Sequence, residues 1–280
     1  MPDFARMILD PFSKRLLKGA GGIPASRGRG PVLLMYHSIS PGSRTPDSRW
    51  AVSESSFREQ LRLLVSEGWS TLCVRDLEQR DGLPPKSLVI TFDDGFADNY
   101  ERGLPHLLAA GFRATWFVVS GDVGGVSRWQ DHDAPQRPML SGTQLREMAA
   151  AGMEIGAHTR THVRLTELDQ SAMDEEVRGS RQDLEEMLRQ PVTSFAYPYG
   201  RFNDDSIEAV RRAGFRVACT TRTGWLGSEP DPLRVRRVAV FADDDLSTFA
   251  RKIVFADTNV SWSRMVRYVT SRIASRLVGG

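Results

Sequence analysis

From residue 31 onward, short runs of consecutive apolar residues alternate with longer stretches in which apolar residues return every three or four positions. The short runs read as strands of a mostly buried sheet, and the longer stretches as helices packed on it. Strands are predicted at 32–36 (VLLMY), 88–92 (LVITF), 114–119 (ATWFVV), 153–157 (MEIGA), 193–197 (TSFAY), 216–220 (RVACT) and 234–240 (RVRRVAV). Helices are predicted at 54–67, where Phe57, Leu61 and Leu64 keep helical spacing, and at 98–110, 142–151, 170–189, 204–213 and 246–254. This alternation of β and α predicts an α/β fold, a distorted (β/α) barrel of about seven parallel strands forming one domain over 31–255.

Local chemistry supports these boundaries. Ser141-Gly142-Thr143 stands before one helix, and Gly68, Gly111, Gly152 and Gly214 stand just after four others, as start and stop signals should. Ala110-Gly111-Phe112, Ala151-Gly152-Met153 and Ala213-Gly214-Phe215 repeat one pattern, a helix end leading straight into a strand. The long irregular stretches, 41–50 and 120–140, are rich in Gly, Pro, Asp and Trp, so they are candidates for loops that shape a cleft.

Composition changes the picture in two places. With 280 residues, 40% hydrophobic and 26% charged, the chain has enough apolar material for a core, which excludes disorder and fibrous classes. A net charge of +2 gives no reason to expect nucleic acid as a partner. The charge is unevenly placed, however. Residues 1–30 hold six Lys/Arg against two Asp and residues 251–280 hold six against one, so the body between them is acidic. The segment 256–280 reads as a basic amphipathic helix, with Trp262, Met265, Val266, Val269, Ile273 and Leu277 at near-helical spacing among Arg264, Arg267, Arg272 and Arg276. Such a helix either docks on its own domain or lies on an anionic membrane surface; residues 4–18 form a shorter version. Asp10 and Pro11 interrupt the apolar run that a secretory signal would need, and no run approaches the ~20 apolar residues of a membrane span. The resulting expectation is a cytoplasmic protein, peripheral to the inner membrane surface if its basic ends touch lipid. Cys73 and Cys219 are too isolated for a disulfide framework or a CxxC site and are expected to be buried free thiols.

Candidate chemistry gathers at strand ends. Thr91-Phe92-Asp93-Asp94-Gly95 places two adjacent carboxylates directly after a strand. Such a pair repels unless a cation or a shifted pKa relieves it, although Asp-Asp-Gly alone also fits a solvated turn. Ile155-Gly156-Ala157-His158-Thr159-Arg160-Thr161-His162 ends another strand, and the spacing H-x3-H lets two imidazoles converge on one ion. Two neutral His and one carboxylate make a three-ligand site with open positions for water and substrate, a hydrolytic arrangement. Phe195-Ala196-Tyr197-Pro198-Tyr199-Gly200 and Tyr36-His37-Ser38 follow two further strands. In a parallel barrel all four strand ends lie on one rim.

At these residues the sequence resembles the polysaccharide deacetylases of carbohydrate esterase family four. Residues 91–95 match the family's T-F-D-D-G motif in full, and 158–162 match H-[ST]-x-x-H. The resemblance covers roughly residues 31–240. It implies that Asp94, His158 and His162 bind a divalent metal, usually zinc, with Asp93 as general base and the Tyr199 backbone N–H facing the oxyanion. The family's R-x-x-P-[YF] motif is half kept: Pro198 and Tyr199 match, but Phe195 stands where the Arg would be. Arg222 is the candidate to replace that Arg beside Asp93. The late L-x-x-H motif is replaced by Leu233-Arg234-Val235-Arg236, and no histidine follows His162. This departure is similar to the permuted poly-N-acetylglucosamine deacetylase-like subgroup, in which a histidine on the first strand takes over. That makes His37 the candidate general acid, giving a proton to the departing amine. Trp129 and Trp225 are candidate sugar-facing aromatics, with core packing the alternative for each; Pro198 shapes the turn beneath the substrate.

The expected function is therefore metal-dependent removal of N-acetyl groups from sugars of a cell-surface polysaccharide or its precursor. The expected partners are an N-acetylated glycan or a lipid-linked sugar. Two alternatives stand beside it: a deformylase of a lipid-linked amino sugar, and a catalytically silent carbohydrate-binding protein.

Overall fold

A computed structural model describes residues 9–19, 30–42, 47–129 and 135–261. Among the described residues the elements follow in the order α1 (Pro11–Gly19), β1 (Val32–Tyr36), β2 (Ser38–Ser40), β3 (Ala51–Ser53), α2 (Glu54–Ser66), β4 (Ser70–Leu72), β5 (Ser87–Phe92), α3 (Leu104–Ala109), β6 (Thr115–Val118), α4 (Gly142–Ala150), β7 (Glu154–Ala157), α5 (Gln170–Leu188), β8 (Ser194–Ala196), α6 (Asp204–Arg212), β9 (Val217–Cys219), β10 (Val238–Ala239) and α7 (Leu246–Phe255). The main sheet is all parallel, ordered β10-β1-β5-β6-β7-β8-β9, with β4 added along the first half of β5. Its curl is completed by a single stretch of chain. Val235 bridges Cys219 of β9, and three residues later Val238 pairs with Leu34 of β1. One segment thus spans the gap between the sheet's first and last strands, as a distorted barrel requires.

The strands are short, and their residues are buried on both faces. Alternate side chains divide between two cores. Val32, Leu34, Tyr36, Ile90, Phe92, Trp116, Ile155 and Phe195 face the helices, where the Phe92 and Trp116 rings stack at 4.8 Å. Leu33, Val89, Phe117, Ala196, Val217 and Val235 fill the barrel. Helix starts are capped by Ser53, Ser141, Asp169, Asn203 and Asp245, whose side chains each accept from the backbone N–H three residues on. Gly111, Gly152 and Gly214 all take positive φ, the left-handed stop expected of the repeated pattern.

The structure departs from the sequence expectation at four places. The helix expected over 98–110 is a π-helical turn at Asn99–Gly103 followed by α3, because buried Asn99 turns inward to hydrogen-bond the His37 carbonyl. The strand expected over 234–240 is regular only at Val238–Ala239. Two short elements were not foreseen, β4 and the small parallel pair β2-β3, each strand being three residues long and below the length at which a period shows. Cys73 and Cys219 are buried free thiols; burial, with the nearby Glu154 carboxylate on Cys73, pushes each up to about 12, so both are inert.

Helix α1 packs on α7. Leu17 is fully buried, Asp10 N–H donates to Ser247 Oγ at 2.9 Å, and Arg251 reaches Asp10 and Ser13. The amphipathic helix expected over 260–278 lies, from residue 262 on, outside the described residues. Leu17→Ala leaves a cavity under α1 and is expected to cost about 2–5 kcal/mol in urea unfolding; a change within error would mean that α1 is not part of the cooperative unit.

Candidate active site

Extending the inward-facing register of each strand by one step builds the site. On β1 the inward series Leu33, Met35 leads to His37, and on β5 the series Val89, Thr91 leads to Asp93. On β7, Glu154 and Gly156 lead to His158, and on the closing segment Val235 leads to Arg237. A period of two therefore delivers four polar side chains to the upper mouth of the barrel. His37, Asp93 and His158 line a cleft of about 260 Å³ that also takes in Asp94, His162, Trp50, Trp129, Arg137 and Tyr199, and Arg237 lies fully buried beneath it.

Asp93 and Arg237 form the floor. Arg237 Nη1 donates to Asp93 Oδ1 at 2.5 Å and Nη2 to Oδ2 at 2.7 Å, a bidentate pair with Arg237 fully buried. The guanidinium is held by the Thr220 carbonyl and Thr91 Oγ1, and it lies beside the Phe117 ring. Burial alone would raise the Asp93 pKa. The Arg237 charge, with smaller help from His158 and His37, reverses that and holds it down at about 2.

Asp94, His158 and His162 have ligand atoms within 4.8 Å of one another. Asp94 Oδ1 lies 3.6 Å from His158 Nε2 and 3.3 Å from His162 Nε2. His158 Nδ1 donates to the Ala196 carbonyl at 2.7 Å, which leaves Nε2 as the lone-pair nitrogen facing Asp94. His162 Nδ1 is hydrogen-bonded with the Tyr199 hydroxyl at 3.1 Å. Desolvation outweighs the pull of Asp93 and lowers His158 to about 4, so it is neutral at pH 7, as a ligand must be. One carboxylate oxygen and two imidazole nitrogens, preoriented and buried, fit a divalent ion with N/O preference.

The ligands sit on strained backbone. Of the seven non-glycine residues with positive φ among the described residues, four are here: Asp94 (74°), Thr159 (64°), His162 (58°) and Tyr199 (57°). Each such conformation costs on the order of 1–3 kcal/mol and persists only if its surroundings enforce it. For the H-x3-H loop the enforcing element is α5. Glu176 accepts from the backbone N–H groups of Arg160 and Thr161 at 2.9 and 3.0 Å and from Thr161 Oγ1 at 2.6 Å. Asp183 accepts two 2.8 Å bonds from the Arg160 guanidinium, which also reaches Glu175. Gly200 secures the Tyr199 turn, since a Cβ there would lie 1.9 Å from Thr221 Oγ1.

His37 lines the cleft with its ring 4.5 Å from that of Trp50, which in turn packs on Phe241. Burial lowers its pKa, and the pull of Asp94 and Asp93 is not enough to reverse this. Trp129 stands over His162 at 4.4 Å and lines the cleft, as expected of a sugar-facing ring. Trp225 does not line it; it packs against the helix-side core. Arg222 is also misplaced by the sequence reading. It is exposed and stacks on Phe202 at 4.6 Å, and the charge beside Asp93 comes from Arg237 instead. The missed signal lay in Val235-Arg236-Arg237-Val238-Ala239, where alternation from Val235 puts one arginine inside the barrel. Phe195, at the place of the family's Arg, is a core residue, and buried Pro198 starts the turn that carries Tyr199. Trp50 and Arg137 were not singled out in the sequence, although both lie within the stretches read as cleft-shaping loops.

A family model described as polysaccharide deacetylase matches residues 80–218. The putative polysaccharide deacetylase YxkH of Bacillus subtilis is 30% identical over 212 residues, covering 74% of this chain and 70% of its own. The chain belongs to the polysaccharide deacetylase family. The solved structure of IcaB from Ammonifex degensii superposes with a TM-score of 0.68 at 30% identity, over 79% of this chain and 96% of that one. The poly-beta-1,6-N-acetyl-D-glucosamine N-deacetylase of Staphylococcus aureus is 26% identical over 179 residues, about 60% of either chain. As a carbohydrate esterase of family four, this polysaccharide deacetylase is a metal-dependent hydrolase with a half-closed parallel barrel.

Two outcomes follow for this deacetylase. Arg237→Met strands a buried carboxylate and is expected to cost about 3–5 kcal/mol. Asp93 now titrates at about 2 against 3.8 in an open chain, so the stabilisation from the pair is complete above about pH 4 and is lost as pH falls through 2. Without Arg237 the burial effect is opposed only by the weaker pull of His158 and His37, and the acid limb of activity moves upward; an unmoved limb would detach Asp93 from the rate. Glu176→Ala loosens the ligand loop and is expected to weaken metal binding about 10–100-fold in chelator competition.

Proposed function

We propose that the protein is a zinc-dependent N-deacetylase that releases acetate from N-acetylglucosamine residues of a polysaccharide or its precursor. The observation that carries this reading is a carboxylate locked by a buried arginine, directly beside a buried Asp-His-His ligand set, at the floor of a cleft walled by tryptophans. The similarity to the staphylococcal poly-beta-1,6-N-acetyl-D-glucosamine N-deacetylase supports the sugar. Deformylation is not favoured, because the relatives matched are named deacetylases, and a silent binder has no use for the complete set of Asp93, Asp94, His158 and His162.

A divalent ion held by Asp94, His158 and His162 would polarise the amide carbonyl and lower the pKa of water from 15.7 to about 7. The chain's own groups do the rest. Asp93, ionised and fixed by Arg237, accepts the proton of the attacking water. The Tyr199 turn brings backbone toward the developing oxyanion, where loss of one donor typically costs ~10²–10³ in rate. His37 faces the leaving amine. Burial lowers its pKa, so the proton it gives is the one Asp93 takes from water, passed on before the C–N bond breaks and delivered to the departing amine nitrogen, which leaves Asp93 ionised and His37 neutral again. Trp50 and Trp129 offer apolar faces to the sugar ring and exclude water. A cleft of this size accommodates one sugar unit rather than a long stretch of polymer.

Zinc-loaded protein is expected to release primary amine from N-acetylglucosamine oligomers, and Asp93→Asn to lose at least about 10²-fold in kcat with the fold intact. Equal turnover by the variant would remove the mechanism. His37→Ala is expected to lower kcat more than KM; near-normal turnover would end its role as acid. A chelator is expected to abolish activity and lower Tm, since the ion stabilises the state that binds it.

A further inference from the structure

We infer that the outer face of α1 is a docking surface for an anionic lipid bilayer. The helix has two faces with different fates. Ser13 and Leu17 are buried against α7, and Leu16 is half-buried. Phe12, Lys14, Arg15 and Lys18 are exposed, and their spacing places them on one continuous arc opposite the buried side. Phe12 is 44% exposed, one of few large apolar side chains left in solvent among the described residues.

No acid offsets this face from within the helix, since α1 holds no Asp or Glu. The neighbouring Asp10 is already engaged. It caps α1 by accepting from Ser13 N–H at 2.8 Å and Ser13 Oγ at 2.6 Å, and it pairs with Arg251 at 3.4 Å. These bonds hold its pKa down at about 2 although burial opposes them. The carboxylate is therefore ionised, but its charge is turned toward α7 and Arg251. What α1 shows to solvent is three cations and an aromatic ring, the combination that seats a helix in the headgroup layer with its ring at the acyl boundary.

The tertiary contact adds what the sequence could not. Asp10 N–H bonds Ser247 Oγ across 237 residues of sequence, so the two basic ends of the chain meet at one helix pair. Arg6, Arg27 and Arg29 in the sequence around α1, and the four arginines of 262–280, lie outside the described residues. The two helices, which look independent along the sequence, join the body at one place. A protein partner would call for shape; this face offers charge and a single ring, which suits a fluid anionic surface. An enzyme held there would meet lipid-linked or membrane-proximal forms of its sugar.

The test uses the full chain with vesicles of phosphatidylcholine alone, and of phosphatidylcholine and phosphatidylglycerol in equal parts. The expected result is co-sedimentation with the anionic vesicles only, reversed by salt. Combined Lys14→Glu, Arg15→Glu and Lys18→Glu is expected to lower partitioning by about tenfold or more, with circular dichroism and deacetylation of soluble oligomers unchanged. Phe12→Ala is expected to give a smaller loss at low salt. Failure of the full chain to bind anionic vesicles overturns the inference. So does binding that the triple substitution leaves intact, which would assign lipid contact to other basic segments. Retention on an immobilised acidic polysaccharide without vesicle binding also overturns it.

Discussion

Arg237 and Asp93 share a pair of hydrogen bonds inside the barrel, the guanidinium fully buried and the carboxylate nearly so. An ionised carboxylate in that position is untenable without its partner, and a buried guanidinium is untenable without the carboxylate. The pair also closes the fold. Arg237 lies on the segment that crosses from β9 to β1, and its backbone and guanidinium are bonded to the Arg222 and Thr220 carbonyls just beyond β9. The interaction that keeps Asp93 charged thus ties the closing segment, and through it the chain just beyond β9, to the end of β5 across the barrel.

The metal ligands are built on a different principle. His158 inherits its direction from strand register and its tautomer from a neighbouring strand's carbonyl. Asp94, His162 and Tyr199 have no regular element beneath them and stand on left-handed backbone. The H-x3-H loop is held from outside by the acidic edge of α5, whose Glu176 and Asp183 lie seven residues apart on one face of the helix. The loop's strain and the acids that restrain it are two halves of one arrangement, and the middle residue of the motif, Arg160, serves the support and not the metal.

The cleft wall illustrates how loops carry specificity. Trp50 comes from the first long loop and Trp129 from the second; each stacks on a histidine of the site, His37 and His162 respectively. Arg137 of the second loop pairs with Asp47 of the first, joining the two stretches beside the cleft. Recognition is therefore assembled from segments without regular structure, set on a frame that has it.

How much of this could be read along the chain follows from the range of the forces involved. Strand and helix positions were legible because burial on both faces leaves a run of apolar residues, and the stops were legible because left-handed turns select glycine. Asp93, Asp94, His158 and His162 were legible because their chemistry demands fixed spacing within a few residues. The partner of Asp93 was not. Arg222 follows β9 and Arg237 precedes β10; alternation from Val235 puts Arg237 on one of the two faces, but which face enters the barrel, and that Arg222 stacks outside on Phe202, was decided by register, and register belongs to the assembled sheet. Trp225 went to the core and Trp50 to the cleft for the same reason, since a tryptophan's own chemistry suits either place. The sequence by itself determined the elements, the ligand set and the basic ends. Which charges face each other across 144 residues, and that both basic ends meet at one helix pair, only the packed chain decided, because those contacts depend on distances that sequence separation does not encode.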